Sequence, residues 1–341
     1  MSEDIEENKI NENIEVQEKE TFNPNLLIIS NIKQQLTESL SEKEKEEEKT
    51  FLINIGENIE WVKRLEGTPF NFTIEGLQLI VPKKDDDGKD YDGKEDDFEI
   101  KTISNAFIYP IQQQNLISED TIKSNIKMKA ILAPTGEVLP EILVPINQFE
   151  SGNWITNSKW SIKVIFNLPA QKNVQINCIK ELGKYMETED IYQYTGWTEI
   201  DGKRVFLHTG GAIGIDKQIK VDLGDETLNR IRFTEKEFEI KDAIKTTLRF
   251  LDVAPLNITL PILGLTYMSP FTSIFEELKI RTGIFTLVVG PPKSKKTSMV
   301  SAICSSFGDF DRNHTHMNFL DGIPSIRTKM AKCKDTLRNY G

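Results

Sequence analysis

Residues 288–298 read VVGPPKSKKTS. An apolar run ends in Gly290, a short loop follows, and Lys296-Thr297 opens a stretch of helical spacing, KKTSMVSAICSSFG, that Gly308 stops. Strand, glycine-opened loop and helix, in that order, form the setting of a phosphate-binding loop. In such a loop, backbone N–H groups and the helix N-terminus face the phosphates. A lysine at the helix start reaches the β- and γ-phosphates, and the next hydroxyl holds Mg²⁺. The corresponding parts here are Gly290, Lys296 and Thr297, with glycine and lysine spaced as G-x-x-x-x-x-K. Ser294, Lys295 and Ser298 complete the candidate nucleotide-binding set, and Thr297 is the candidate metal ligand.

The usual loop is G-x-x-x-x-G-K-[ST], whereas this chain reads GPPKSKKT, with Lys293 and Lys295 inside. Glycine serves at inner positions because the backbone must curl through φ > 0 and approach the phosphates closely. A lysine held in that conformation costs about 1 kcal/mol or somewhat more. Added positive charge facing a triphosphate offsets part of that cost. Three readings stand together: a nucleotide site, a relic of one, and an ordinary surface turn.

On either side of the loop, the pattern predicts particular partners. GIFTLVVG, residues 283–290, is a continuous apolar run, as in a parallel strand buried on both faces. Residues 253–281 read as a helical connector of two short pieces, the second being FTSIFEELKIR. After Thr297 come a loop, a helix over IRTKMAKCKD and the short start LRNYG. Hydrolysis needs an apolar strand ending in paired acids to hold Mg²⁺ and position water. No such strand is present after Thr297, so little or no turnover is expected.

Towards the N-terminus the chain is strand-rich. Residues 1–25 are rich in Glu and Asn, which predicts disorder. Ile29, Ile32, Leu36 and Leu40 then recur at helical spacing, with SEKEKEEEK as a solvated helix end or linker. From Phe51, WVKRL, FNFTIEGLQLIV and FEIKTI read as strands, as do SNIKMKAIL, ILVPI and WSIKVIFNL further on. KKDDDGKDYDGKEDD, residues 83–97, puts lysine or glycine where a calcium loop needs its first oxygen ligand, and reads as a polar hairpin loop. VQINCIKELGKYME predicts a helix. In YQYTGWTEIDGKRVFLHTGGAIG, Asp201-Gly202 between apolar-bearing runs is a two-residue hairpin signal, with Trp197 and Phe206 on its inner face. Another helix follows at Ile240, Ile244, Leu248 and Leu251.

Charge is unevenly placed. The net charge is -11, of which residues 1–50 carry -8, while residues 281–341 carry +6. The basic end suits phosphates, of a nucleotide or a nucleic acid. Cys178, Cys304 and Cys333 lie far apart with no C-x-x-C, which argues for a reducing compartment. His208, His314 and His316 lack zinc-ligand spacing with the cysteines. No signal pattern opens the chain, and PLNITLPILGLTYM at 255–268 falls short of the roughly 20 apolar residues of a membrane span. A cytoplasmic protein without a membrane segment is expected.

The tryptophan hairpin TGWTEIDGKRVFL, the helical connector, the apolar run, the loop with Ser294, Lys296 and Thr297, and the following helix and Phe307-Gly308 resemble, in that order, the family called domain of unknown function 927. The resemblance covers roughly residues 60–340. Its members are helicase-like or primase–helicase proteins of phages, plasmids and integrated elements. The family's inner loop glycine falls on Lys293, a departure. Lys334-Asp335 followed by TLRNY resembles the start of the family's acidic strand, which suggests a truncated member. The resemblance implies bound ATP and Mg²⁺, DNA or replication proteins as partners, and a homo-oligomer when the ATPase domain is full. The expected fold class is α+β: an acidic arm (1–50), a β-rich accessory domain (51–252), the helical connector (253–282) and the start of an incomplete P-loop α/β domain (283–341). The alternative function is a non-enzymatic module that binds nucleic acid or a replication partner and carries a relic loop.

Overall fold

The computed structural model describes residues 24–38, 41–83, 98–160, 162–168, 171–233, 239–281, 284, 286–311, 313–314 and 321–337. The fold is mixed α+β with several sheets. By contact density the chain forms two compact units, residues 1–113 with 125–187, and 114–124 with 188–341. The first 23 residues and the polar loop 84–97 lie outside the described residues.

In the first unit, helix α1 (Pro24–Glu38) buries Ile29 and Ile32 against Ile80. Helix α2 (Glu42–Ile55) starts at a capping box. The Ser41 hydroxyl accepts from Glu44 N–H, and the Glu44 carboxylate accepts from Ser41 N–H. The acidic run is thus the solvated first half of a helix whose other end buries Phe51 and Ile55. WVKRL is helical rather than a strand: α3 covers Ile59–Lys63. Its alternating pattern is too short to separate strand from helix, and packing of Trp61 and Val62 on the neighbouring core decides.

Strands β1 (Phe70–Thr73), β2 (Gly76–Pro82) and β3 (Phe98–Ser104) form an antiparallel sheet in that order. Strands β4 (Ala106–Ile117), β5 (Ile122–Leu132) and β6 (Glu137–Pro145) lie side by side in a second sheet. Both faces of β4 are covered, which is why AFIYP is apolar without alternation. Ala106 and Ile108 face a cluster with Met128, Trp154 and Trp160. Phe107 and Tyr109 face the opposite cluster with Phe51, Phe72 and Leu77. The edge strand β6 is blunted by Pro140, whose carbonyl accepts from Trp160 Nε1 at 2.8 Å. After the short helices α4 (Ile146–Phe149) and α5 (Asn153–Asn157), WSIKVIFNL does not form the expected strand. Among its described residues the one β-bridge is Ser104 to Phe166, because Trp160 and Val164 are drawn into the core while Ile162, Ile165 and Leu168 stay exposed. Helix α6 (Gln171–Gly183) forms as its spacing predicts, with Ile176, Ile179 and Leu182 buried.

In the second unit, strand β7 (Glu187–Tyr192) lies between the tip of β4 and the short β11 (Lys220–Val221). Strands β8 (Gly196–Ile200), β9 (Lys203–His208) and β10 (Gly211–Ile213) form a separate antiparallel sheet. The hairpin turns at Asp201 and Gly202, both with positive φ, as the type I′ turn requires. Trp197 pairs across the strands with Phe206, rings edge to face at 5.3 Å.

Helix α7 (Ile240–Leu248), helix α8 (Leu256–Met268), the short α9 (Thr272–Glu277), α10 (Lys296–Cys304) and α11 (Ile323–Lys332) complete the unit. The connector is helical as expected. Its apolar helical run extends over Leu256–Glu277, long and apolar enough to cross a membrane by length and composition, with 28% of its most apolar 18-residue window buried. That is longer than the stretch 255–268 considered from sequence. The clearest departure concerns GIFTLVVG. Its described residues form no strand and pair with none, and Ile284, Leu287 and Val289 are exposed, Val289 by 81%. A continuous apolar run becomes a buried strand only when strands flank it, and none among the described residues does so.

Candidate functional site

Helix α10 fixes the loop by its buried side. Met299 and Ile303 pack with Phe250, Ile262 and Leu263. Cys304 and Val300 pack in the cluster of Val205, Leu207, Leu228 and Cys333. The helix N-terminus is thereby held while the loop before it stays exposed.

Both inner lysines take the conformation that the loop motif reserves for glycine. Lys293 has φ +67° and Lys295, the residue that caps α10, has φ +60°. Ser294 lies between them, so the backbone curls around the loop mouth. Gly290 opens the loop, and a Cβ there would make only ordinary contacts, 3.4 Å from Ser294 Oγ and 3.7 Å from Lys296 Cδ. Lys296 arches back over the loop. Its ammonium donates to the carbonyls of Gly290 and Pro291, both at 2.9 Å, and to Ser294 Oγ at 3.2 Å. Thr297 and Ser298 stand exposed in the first helical turn, where backbone N–H groups have no partner within the helix. The structure therefore brings Gly290, Ser294, Lys295, Lys296, Thr297 and Ser298 around one exposed mouth, and adds Lys293, which the sequence pattern had marked only as a departure.

Ser301, one turn beyond Thr297, is buried and its hydroxyl has no hydrogen-bond partner among the described residues. An unpaired buried hydroxyl costs about 1–3 kcal/mol. Ser301→Ala should accordingly stabilise the protein by about 1 kcal/mol, read as a higher urea midpoint. A loss of stability of that size would contradict this account.

Asp335, expected at the start of an acidic strand, lies instead in a turn with φ +53°. Its carboxylate is turned inward. It accepts from Trp197 N–H at 3.0 Å, from Ser273 N–H at 2.7 Å and from the Ser273 hydroxyl. Thr195 adds bonds to the carbonyls of Lys332 and Lys334. A buried carboxylate occupied in this way is a clamp for the tryptophan hairpin, not a metal ligand. Trp197 Nε1 donates to Pro270 O at 2.7 Å, so the ring that could have stacked a base is tied into the unit.

Metal chemistry finds no cluster of three or more His, Cys, Asp or Glu among the described residues. His208 is buried and its Nδ1 accepts from Gly210 N–H, while His314 pairs with Asp311. His316 lies outside the described residues. A cavity of about 300 Å³, lined by Gly224, Asp225, Leu228, Lys329 and Lys332 among others, shares no residue with the loop. Its lysines are engaged: Lys329 pairs with Asp225 and Asp321, and Lys332 donates to Leu223 O. Compared with known proteins, the chain matches no family model and no curated protein.

Proposed function

We propose that the loop from Gly290 to Ser298 binds the phosphates of a nucleotide, ATP with Mg²⁺, as part of a helicase-like replication protein of a mobile element. The positive φ of Lys293 and Lys295 carries this reading, because the loop adopts the curled backbone that its motif needs despite lacking the glycines. Lys296, whose ammonium now donates to the carbonyls of Gly290 and Pro291, would supply positive charge to the phosphates. The Thr297 hydroxyl would hold Mg²⁺, and the N–H groups of the first turn of α10 would serve the phosphate oxygens. A P-loop domain from residue 283 onward, a cytoplasmic location, and DNA or replication proteins as partners belong to the same proposal. The resemblance of the loop and the tryptophan hairpin to the helicase-like family supports it.

The test is titration of the full chain with a fluorescent ATP analogue, with and without Mg²⁺. Micromolar, Mg²⁺-dependent binding is expected. Lys296→Ala should weaken it by about 10- to 100-fold, the equivalent of one charge-assisted hydrogen bond. A second reading rests on the same ammonium, whose three bonds within the loop suit a relic that holds no ligand. No response to the analogue, together with binding of single-stranded DNA, would favour that reading.

A further inference from the structure

Helix α8 is apolar on every side, the composition of a helix buried all round. Among the described residues only one side is packed, with Thr259, Ile262, Leu263 and Thr266 buried. The opposite side carries Leu256, Leu260, Gly264 and Tyr267, and Phe271 follows in the 3₁₀ turn just past the helix end, at spacings of 4, 4, 3 and 4. The four large residues are exposed by 57%, 54%, 53% and 47%. No charged residue occurs between Asp252 and Glu276.

Gly264 sits at the middle of that stripe. A glycine inside a helix costs about 1 kcal/mol relative to alanine. No described residue explains it, because a Cβ added there meets no described atom within 4 Å. A close approach from outside would explain it. The stripe is also symmetric: large apolar residues stand four and eight positions before Gly264, and three and seven after it.

We propose that this face of α8 packs against its counterpart in a second copy of the chain, antiparallel, with the two helices crossing at Gly264. Leu260 of one copy then lies against Tyr267 of the other, and Leu256 against Phe271. The symmetry of the stripe makes the surface self-complementary, as a two-fold interface requires. Its lack of charge leaves no like-charge repulsion between copies and nothing to select a charged partner. The stripe is about 22 Å long and one helix wide, a few hundred Å² per copy. That is the low end of interface sizes, so the dimer is reversible and populated at micromolar concentrations or above.

The test is sedimentation velocity on the full chain, without lipid or detergent, over about 1–200 μM, a range that brackets a weak interface. The wild type should move from the mass of one chain to twice that mass. Gly264→Leu fills the crossing point from a position whose Cβ meets no described atom within 4 Å, so it should stay monomeric while melting no lower than the wild type. Leu260→Gln should weaken the dimer at least about tenfold, because each exposed leucine contributes on the order of 1.5 kcal/mol when buried. A wild type that keeps the mass of one chain at every concentration overturns the proposal. So does a mass that rises without a plateau, or a dimer that persists in Gly264→Leu. A monomer that co-sediments with neutral phosphatidylcholine vesicles would assign the face to lipid and overturn it equally.

Discussion

Asp335→Ala should destabilise the protein by about 3–5 kcal/mol. The carboxylate is 3% exposed and satisfies three donors: the backbone N–H groups of Trp197 and Ser273, and the Ser273 hydroxyl. Removing it leaves these donors buried and unpaired, each at a cost of about 1–3 kcal/mol, less whatever water can recover. Gly196 shows how closely the parts meet. With φ +96°, its Cβ would lie 2.6 Å from Asp335 Oδ2 and 2.8 Å from Lys334 O, so only glycine fits. Asp335→Asn keeps the size and one good acceptor, and should cost about 1–3 kcal/mol, less than alanine. Tryptophan fluorescence during urea unfolding is a direct readout, since Trp197 N–H is one of the three donors. A loss under about 1 kcal/mol for the alanine variant would show that the clamp is not structural.

Lys33 should contribute a rise in stability between about pH 8 and 10.5, read as the difference between wild type and Lys33→Met. Burial pushes its pKa down to about 8, against the opposing influence of Glu66. Its amine donates to Leu65 O at 3.0 Å and Thr68 O at 2.9 Å. The folded state therefore releases this proton near pH 8, whereas the unfolded chain keeps it until about pH 10.5. Within that window the unfolded state binds more protons, so stability increases with pH. Below pH 8 both states hold the proton, and the cost of burying the charge is constant. The full shift corresponds to about 3 kcal/mol, and partial solvent contact lowers the expected gain to about 2. Lys33→Met removes the group and should flatten the rise. Burial holds the Tyr109 hydroxyl and the Cys178 thiol well above their usual ranges, so within this window the unfolded chain loses those protons while the folded state keeps them, which works against the rise; the difference between wild type and Lys33→Met isolates the lysine's share. Equal slopes for wild type and Lys33→Met would contradict the assignment.

Local chemistry was legible in the residues. Asp201-Gly202 dictated a hairpin because both positions must take positive φ, and it placed Trp197 opposite Phe206. The helices at 171–183, 296–304 and 323–332 follow from their spacing and from stops such as Gly308. The candidate loop was also legible, down to the conformation that Lys293 and Lys295 would have to adopt. These features depend on neighbours within a few residues, where sterics and capping decide.

Tertiary structure decided the rest. WVKRL and WSIKVIFNL have strand-like residues, yet one became a helix and the other an irregular segment pulled inward by Trp160 and Val164. GIFTLVVG has the composition of a buried strand, but its described residues lie exposed and unpaired. Lys334-Asp335 looked like the approach to an acidic strand and proved to be an internal clamp. A strand is defined by the chain that pairs with it, and a carboxylate's role by the donors around it. Neither is encoded in adjacent residues, whereas a turn's φ angles and a helix's periodicity are.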